Sequence, residues 1–125
     1  MKITIEQTLL QAITAHKDGK IQEAEGLYAS ILQVRAMHPD ANHNLGLIMV
    51  ASGRIEAALP LFKTALQEHP KIEQFWVSYI NALTRVGRLK DVKKAMQKAK
   101  QHGMSLEKLE ASGPRTKVDT PAEED

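Results

Sequence analysis

The chain has 125 residues, a formal net charge of +2 and no cysteine. Disulfides and thiolate chemistry are excluded, and so small an excess of positive charge does not by itself imply a nucleic-acid partner. The length suits one domain. The composition, 42% hydrophobic but only 4% aromatic and rich in Ala, Leu, Lys, Gln and Glu, favours helix. Glu6, His16, Lys17 and Asp18 interrupt the first twenty residues, which therefore lack the apolar core of a signal peptide. No run of about 18 apolar residues is present, so no membrane insertion is expected. A cytoplasmic setting is the expectation.

The first predicted helix covers about residues 4 to 17. Thr4 is its cap, and Gln7 lies three residues on, as in a capping box. Leu9, Ala12, Ile13 and His16 line one side of it, and Leu10 widens that face. Asp18-Gly19-Lys20 is a turn. A second helix follows over about 21 to 35, with Ala24, Leu27, Tyr28, Ile31 and Leu32 as its apolar stripe. Pro39 stops the incoming chain and is tolerated in the first turn of the next helix. Two more helices are predicted over about 40 to 51 and 55 to 67, around the turn Ala51-Ser52-Gly53-Arg54. Pro60 falls in the early turns of the second of these, where little hydrogen bonding is lost. A third hairpin spans about 71 to 102. Phe75, Trp76, Tyr79, Ile80 and Leu83 load its first helix, Val86-Gly87-Arg88 is its turn, and Leu89, Val92, Met96 and Ala99 mark its second. Gly103 ends that helix. Ser105 to Ala111 can form a short final helix, with Leu106 and Leu109 over the last apolar face. Residues 113–125 form a polar tail, expected to be disordered.

The three hairpins superimpose at a constant offset of 34 residues. Gly19, Gly53 and Gly87 coincide in the turn, followed by Lys20, Arg54 and Arg88 and then by Ile21, Ile55 and Leu89. Ala24, Ala58 and Val92 form a tight helix contact, Tyr28, Phe62 and Met96 a large plug, and Ala12, Gly46 and Ile80 the point of close approach. The glycine column implies a demand for positive φ, or for room, where one helix ends.

This pattern resembles the tetratricopeptide repeat family. The middle unit carries Leu45-Gly46, Ala58, Phe62, Ala65 and Pro70 in family positions. The third has Ile80 where the family prefers a small residue and Met96 where it prefers an aromatic. The first has Thr8 and Gln11 at positions that are normally larger and apolar. The resemblance implies an all-α, right-handed superhelical solenoid of three repeats, 5–38, 39–72 and 73–106, within a domain of residues 1–112 that ends in a short capping helix. The run from Lys71 to Leu83 also resembles repeats found ahead of bacterial glycosyltransferase-type domains.

In that family the first helix of each hairpin lines a concave face that binds peptides or protein segments. The resemblance places Leu9, Ile13, His16 and Lys17 there from the first hairpin. The second contributes Asp40, His43, Asn44, Leu47 and Ala51, and the third Gln74, Val77, Ser78, Asn81 and Arg85. The amides and Ser78 suit a peptide backbone, and Leu9, Ile13, Leu47 and Val77 suit apolar side chains. The alternative is that these residues only tile the stack. The chaperone-binding subclass holds a terminal carboxylate with Lys, Arg and Asn. Asn44 matches its central asparagine, but Leu9, Ile13, Gln74 and Ser78 stand where its other ligands belong, so the charge-assisted bonds are missing.

Other patterns argue against chemistry. His16, His38, His43, His69 and His102 are spread over three hairpins with no ligand spacing, so no metal is expected. No nucleophile elbow or Gly-rich phosphate loop occurs, and neither an enzyme nor a cofactor is expected. Arg85, Arg88, Lys90, Lys93, Lys94, Lys98 and Lys100 surround the single acid Asp91. That run reads as a solvated face near a helix C-terminus, and without an aromatic platform it makes nucleic acid an unlikely partner. Trp76 and Tyr79 read as core, and Phe75 as a side chain pointing outward between hairpins. The expected function is a protein-interaction module that binds a peptide or partner segment. The alternatives are a self-associating scaffold, a homo-oligomer formed through exposed terminal helices, and a targeting module of a glycosyltransferase-type system.

Overall fold

The computed structural model describes residues 3–105 together with Glu107 and Leu109. These residues form α1 (Ile5–Lys17), α2 (Ile21–Val34), α3 (Pro39–Ala51), α4 (Ile55–Glu68), α5 (Glu73–Arg85) and α6 (Leu89–Gln101). Consecutive helices pair as hairpins, and the hairpins stack through α2 on α3 and α4 on α5, with α3 also touching α5. The all-α solenoid implied by the repeat is the architecture observed. Leu109 is helical and fully buried against the last hairpin, so it serves as the expected cap. Leu106 and the predicted tail 113–125 lie outside the described residues.

Local chemistry explains the helix ends. Thr4 and Gln7 form a reciprocal capping box: the Gln7 amide donates to Thr4 Oγ1 at 3.1 Å, and the Thr4 amide donates to Gln7 Oε1 at 2.9 Å. At α3, Pro39 fills the first position and His38 is the cap, its Nδ1 accepting from the Ala41 amide at 3.2 Å. Asn42, 2% exposed, donates to the carbonyls of Ala36 at 3.0 Å and His38 at 2.8 Å, which ties the linker before α3 to the helix itself. Pro60 is the sixth residue of α4, so its missing N–H costs only the bond to the Glu56 carbonyl in the exposed first turn.

All three hairpin turns close by one hydrogen-bond pattern. The amides of Lys20, Arg54 and Arg88 reach back to the carbonyls of Ala15, Met49 and Leu83 at 2.8, 2.8 and 2.9 Å. Those of Gly19, Gly53 and Gly87 donate to His16, Val50 and Thr84. This pair of bonds is the Schellman motif, and it needs a left-handed residue just past the helix. The glycines supply it, at φ of 78°, 84° and 77°. A Cβ at any of them would meet nothing within 4 Å. Of the two readings of the column, backbone conformation rather than room is the cause.

Gly46 is required for the opposite reason. It lies mid-helix in α3, and a Cβ there would sit 2.5 Å from Cε1 of Phe62. Phe62, fully buried, thus packs directly on the α3 backbone.

The buried side chains form two clusters. One comes from α1, α2 and α3, the other from α4, α5, α6 and Leu109. The boundary therefore runs through the middle hairpin, where Met49 packs against both clusters. Ion pairs also join successive hairpins. Arg54, in the second turn, makes two 2.9 Å bonds to the Glu25 carboxylate on α2, and Arg88, in the third turn, makes one of 2.9 Å to Glu56 on α4. The Arg54 hydrogen bonds hold the Glu25 carboxyl below its usual range. These pairs are exposed, so they set which turn rests on which preceding helix more than they stabilise.

Two helical glycines should respond to alanine with opposite sign. Gly26 on α2 is exposed and has nothing within 4 Å of a built Cβ. Gly26→Ala should raise unfolding free energy by about 0.5–1 kcal/mol. Gly46→Ala should lower it by about 1–3 kcal/mol through overpacking against Phe62. Urea denaturation should also show Phe62→Leu offsetting part of the Gly46→Ala loss, because the two side chains are in contact.

Candidate functional site

The predicted groove residues lie on α1, α3 and α5. Helical periodicity puts Leu9, Ile13, His16 and Lys17 on one side of α1, and their counterparts on the same side of α3 and α5. Leu9, Ile13, His16, Asn44 and Val77 are half-buried, while Lys17, Asp40, Ala51, Gln74, Asn81 and Arg85 are exposed. Leu47, 36% exposed, is the most open of the apolar side chains expected there. The result is a face of apolar spots with a cation at the C-terminal end of α1 and of α5 and the acid Asp40 at the start of α3.

Three expectations need correction. His43 and Ser78, predicted to line the open face, are 5% and 6% exposed. His43 Nε2 lies 2.7 Å from Ser78 Oγ, so the pair forms a polar contact inside the seam between the second and third hairpins. Phe75, predicted to point outward, is 4% exposed, with its ring 4.6 Å from that of His43, which also lies 5.6 Å from the ring of Phe62. The cause is lateral packing. The third hairpin covers the side of α3 nearest it, so a position that a single helix leaves open is closed by its neighbour. The sequence signal for this contact is an offset of 35 rather than 34, with one repeat position facing the next position of the following repeat.

The seam forms a continuous polar line. Gln74 Nε2 lies 3.5 Å from Ser78 Oγ, and His43 Nδ1 lies 3.3 Å from Asn44 Oδ1. One tautomer satisfies every group: Gln74 donates to Ser78, the Ser78 hydroxyl to His43 Nε2, and His43 Nδ1–H to Asn44. Burial holds the imidazole below its ordinary pKa, opposed in part by Asn44 and Asp40. Burial also raises the Tyr28 phenol, and hydrogen bonding from Asn44 opposes that shift. Asn44 is therefore engaged on two sides, whereas Asn81 is exposed and makes no side-chain hydrogen bond among the described residues.

Trp76 occupies the opposite side of α5, 4% exposed, and its Nε1–H donates to the Pro70 carbonyl at 2.6 Å. This bond fixes the bend between the second and third hairpins. Among the described residues, no group of three or more His, Cys, Asp or Glu could hold a metal ion, and no helix is long and apolar enough to cross a membrane.

A family model described as tetratricopeptide repeat matches residues 9–71, half of the chain. The chain belongs to the tetratricopeptide repeat family. The match covers the first two repeats, and the third follows with the same turn geometry. Among solved structures, a MamA chain designated MSR-1 is similar at 20% identity and a TM-score of 0.68, covering 78% of this chain and 56% of its own. A second MamA crystal structure gives 17% identity and a TM-score of 0.73 over 80% of this chain and 58% of its own. The Sgt2 TPR domain from Aspergillus fumigatus gives 21% identity and a TM-score of 0.70, over 97% of this chain and 87% of its own. This tetratricopeptide repeat chain thus spans little more than half the length of the MamA chains. At these identities the likeness is one of fold. No curated protein matches the sequence. The repeat fold is typical of non-enzymatic scaffolds that bind proteins or peptides.

His43 predicts a pH dependence. Its folded pKa lies below the unfolded value of about 6.5, so as pH falls the unfolded chain takes the proton first. This contribution is complete above about pH 6.5 and is lost progressively below it. His43→Gln should flatten that part of the stability–pH curve measured by thermal unfolding between pH 7.5 and 5.

Proposed function

We propose that this repeat domain is a non-enzymatic interaction module of the cytoplasm that holds an extended peptide or partner segment across α1, α3 and α5. The observation that supports it is the exposure of Leu47, Gln74, Asn81, Lys17 and Arg85 on the first helices of the three hairpins. Leu9, Ile13, Leu47 and Val77 would take alternate apolar side chains. Asn81 and Gln74 would bond the ligand backbone, and Asn44 would contribute only by giving up its present partners. His43 and Ser78 would act from behind, holding α3 and α5 at fixed separation. A targeting role beside a glycosyltransferase-type domain rests only on the resemblance of residues 71–83, and none of the similar structures described above adds to it.

Self-association is the second reading, and the first hairpin favours it. Ile3 is 62% exposed, and Leu10, 64% exposed, lines a hollow of about 370 Å³ between α1 and α2. The other end is closed by Leu109.

Screening the chain on a peptide array and titrating a hit by calorimetry tests the first reading. The paired substitution Leu47→Ala with Asn81→Ala should weaken binding at least tenfold with unfolding midpoints unchanged. Equal affinity would remove the face from consideration. For the second reading, light scattering should give a mass that depends on concentration and that Leu10→Asp reduces to the monomer; a monomer at every concentration would dismiss it.

A further inference from the structure

On the side of α5 facing away from Val77 and Asn81, the outer helices α4 and α6 spread apart over a hollow of about 530 Å³. That size lies within the ~300–1,000 Å³ of pockets that enclose small ligands or a few side chains. Its floor is apolar: Leu66, Trp76 and Ala95 are buried there, and Pro70 and Tyr79 are half-buried at its walls. Its rim is cationic. Lys63 stands on α4, Lys94 and Lys98 stand one turn apart on α6, and all three are exposed with no ion pair among the described residues. His102 adds a ring stacked at 6.0 Å on Trp76. The single acid on the rim, Asp91, lies 3.9 Å from Arg88.

The basic run of α6 is thus more than a solvated stripe. The stacking of α4 and α6 on α5 sets two lysines of that run over an apolar hollow, across from a third lysine on α4 of another hairpin. We propose that this hollow is a second binding site, for an acidic peptide segment of a partner protein that carries an apolar or aromatic anchor. The anchor would fill the space above Leu66 and Trp76, and flanking carboxylates would pair with Lys63, Lys94 and Lys98. Charge complementarity argues for the acids and the buried floor for the anchor. Nucleic acid fits less well, because Trp76 is almost wholly covered and offers no open ring for a base. The proposal is independent of the α1–α3–α5 face, since it uses the other side of the stack.

Trp76 is the sole tryptophan in the sequence, so its emission reports on this hollow alone. The probe is a capped peptide, Glu-Asp-Leu-Phe-Glu-Asp, titrated into the full chain. A saturable change in emission is expected, at least tenfold weaker for Lys94→Glu with Lys98→Glu and severalfold weaker when salt rises from 50 to 300 mM. Lys94→Gln with Lys98→Gln should show an intermediate loss, and Asn81→Ala none. Two control peptides, one with the acids replaced by amides and one with Leu-Phe replaced by Gly-Gly, should each bind at least tenfold more weakly. Equal affinity of either control peptide or of the charge-reversed variant would overturn the proposal, as would displacement of the probe by a short oligonucleotide. The chain's own acids at Asp119, Glu123, Glu124 and Asp125 are the competing occupant. A shift in emission on replacing the last three with lysine, before any peptide is added, would assign the hollow to them and overturn the partner reading.

Discussion

The contact between Phe62 and the backbone of Gly46 is the constraint on which the stack depends. The apolar interior is divided into two clusters, and the division runs through the middle hairpin. The pairing of α3 with α4 joins the two halves there, beside the contacts that His43 of α3 makes with Phe75 and Ser78 of α5. Phe62 belongs to the second cluster, yet it is seated against a helix whose other buried residues, Ala41, Leu45 and Ile48, belong to the first. A glycine at the contact lets an aromatic ring of the second cluster approach the backbone of a helix whose apolar side chains belong to the first. Interiors are packed too densely to absorb even one extra methyl group there without cost.

Around that contact the repeats have diverged in a compensating way. The position of Gly46 is Ala12 in the first hairpin and Ile80 in the third, and that of Phe62 is Tyr28 and Met96. Where the first helix carries its largest residue, Ile80, the facing helix carries a flexible methionine in place of an aromatic ring. Volume is traded across the helix pair, as volume-conserving exchanges in well-packed cores allow. The turns show no such variation. Their geometry is imposed by backbone hydrogen bonds that every hairpin must close, and only glycine enters the left-handed conformation they require without strain.

The two faces of α5 divide the functional work. One side carries Gln74, Val77 and Asn81 toward the surface shared with α1 and α3, while the other sinks Trp76 between the outer helices and anchors it to Pro70. Between them, Phe75 and Ser78 grip His43 in the seam. A buried imidazole with both nitrogens engaged fixes the rotation of α3 against α5, and hence the width of the face in front of it. Burial disfavours its charged form, so acid opposes this seam.

Much of this was legible in the residues. The helix boundaries, the capping box at Thr4, the three turns and the repeat itself follow from local rules, because each depends on side chains and backbone groups within a few positions of one another. The 34-residue offset likewise put Leu47 and Asn81 at equivalent repeat positions, and only the family resemblance put them on a shared face. What the sequence could not decide was which members of that face remain open. His43 and Ser78 were expected there and Phe75 was expected to point outward, but each is covered by the neighbouring hairpin across the α3–α5 seam, whose placement is set by long-range packing. The same holds for the lysines of α6, which look alike in the sequence and differ only in what α4 brings beside them. Local chemistry determined the elements and their order. The burial of any one polar side chain was decided by how the elements lie against each other, because desolvation depends on neighbours that are distant along the chain.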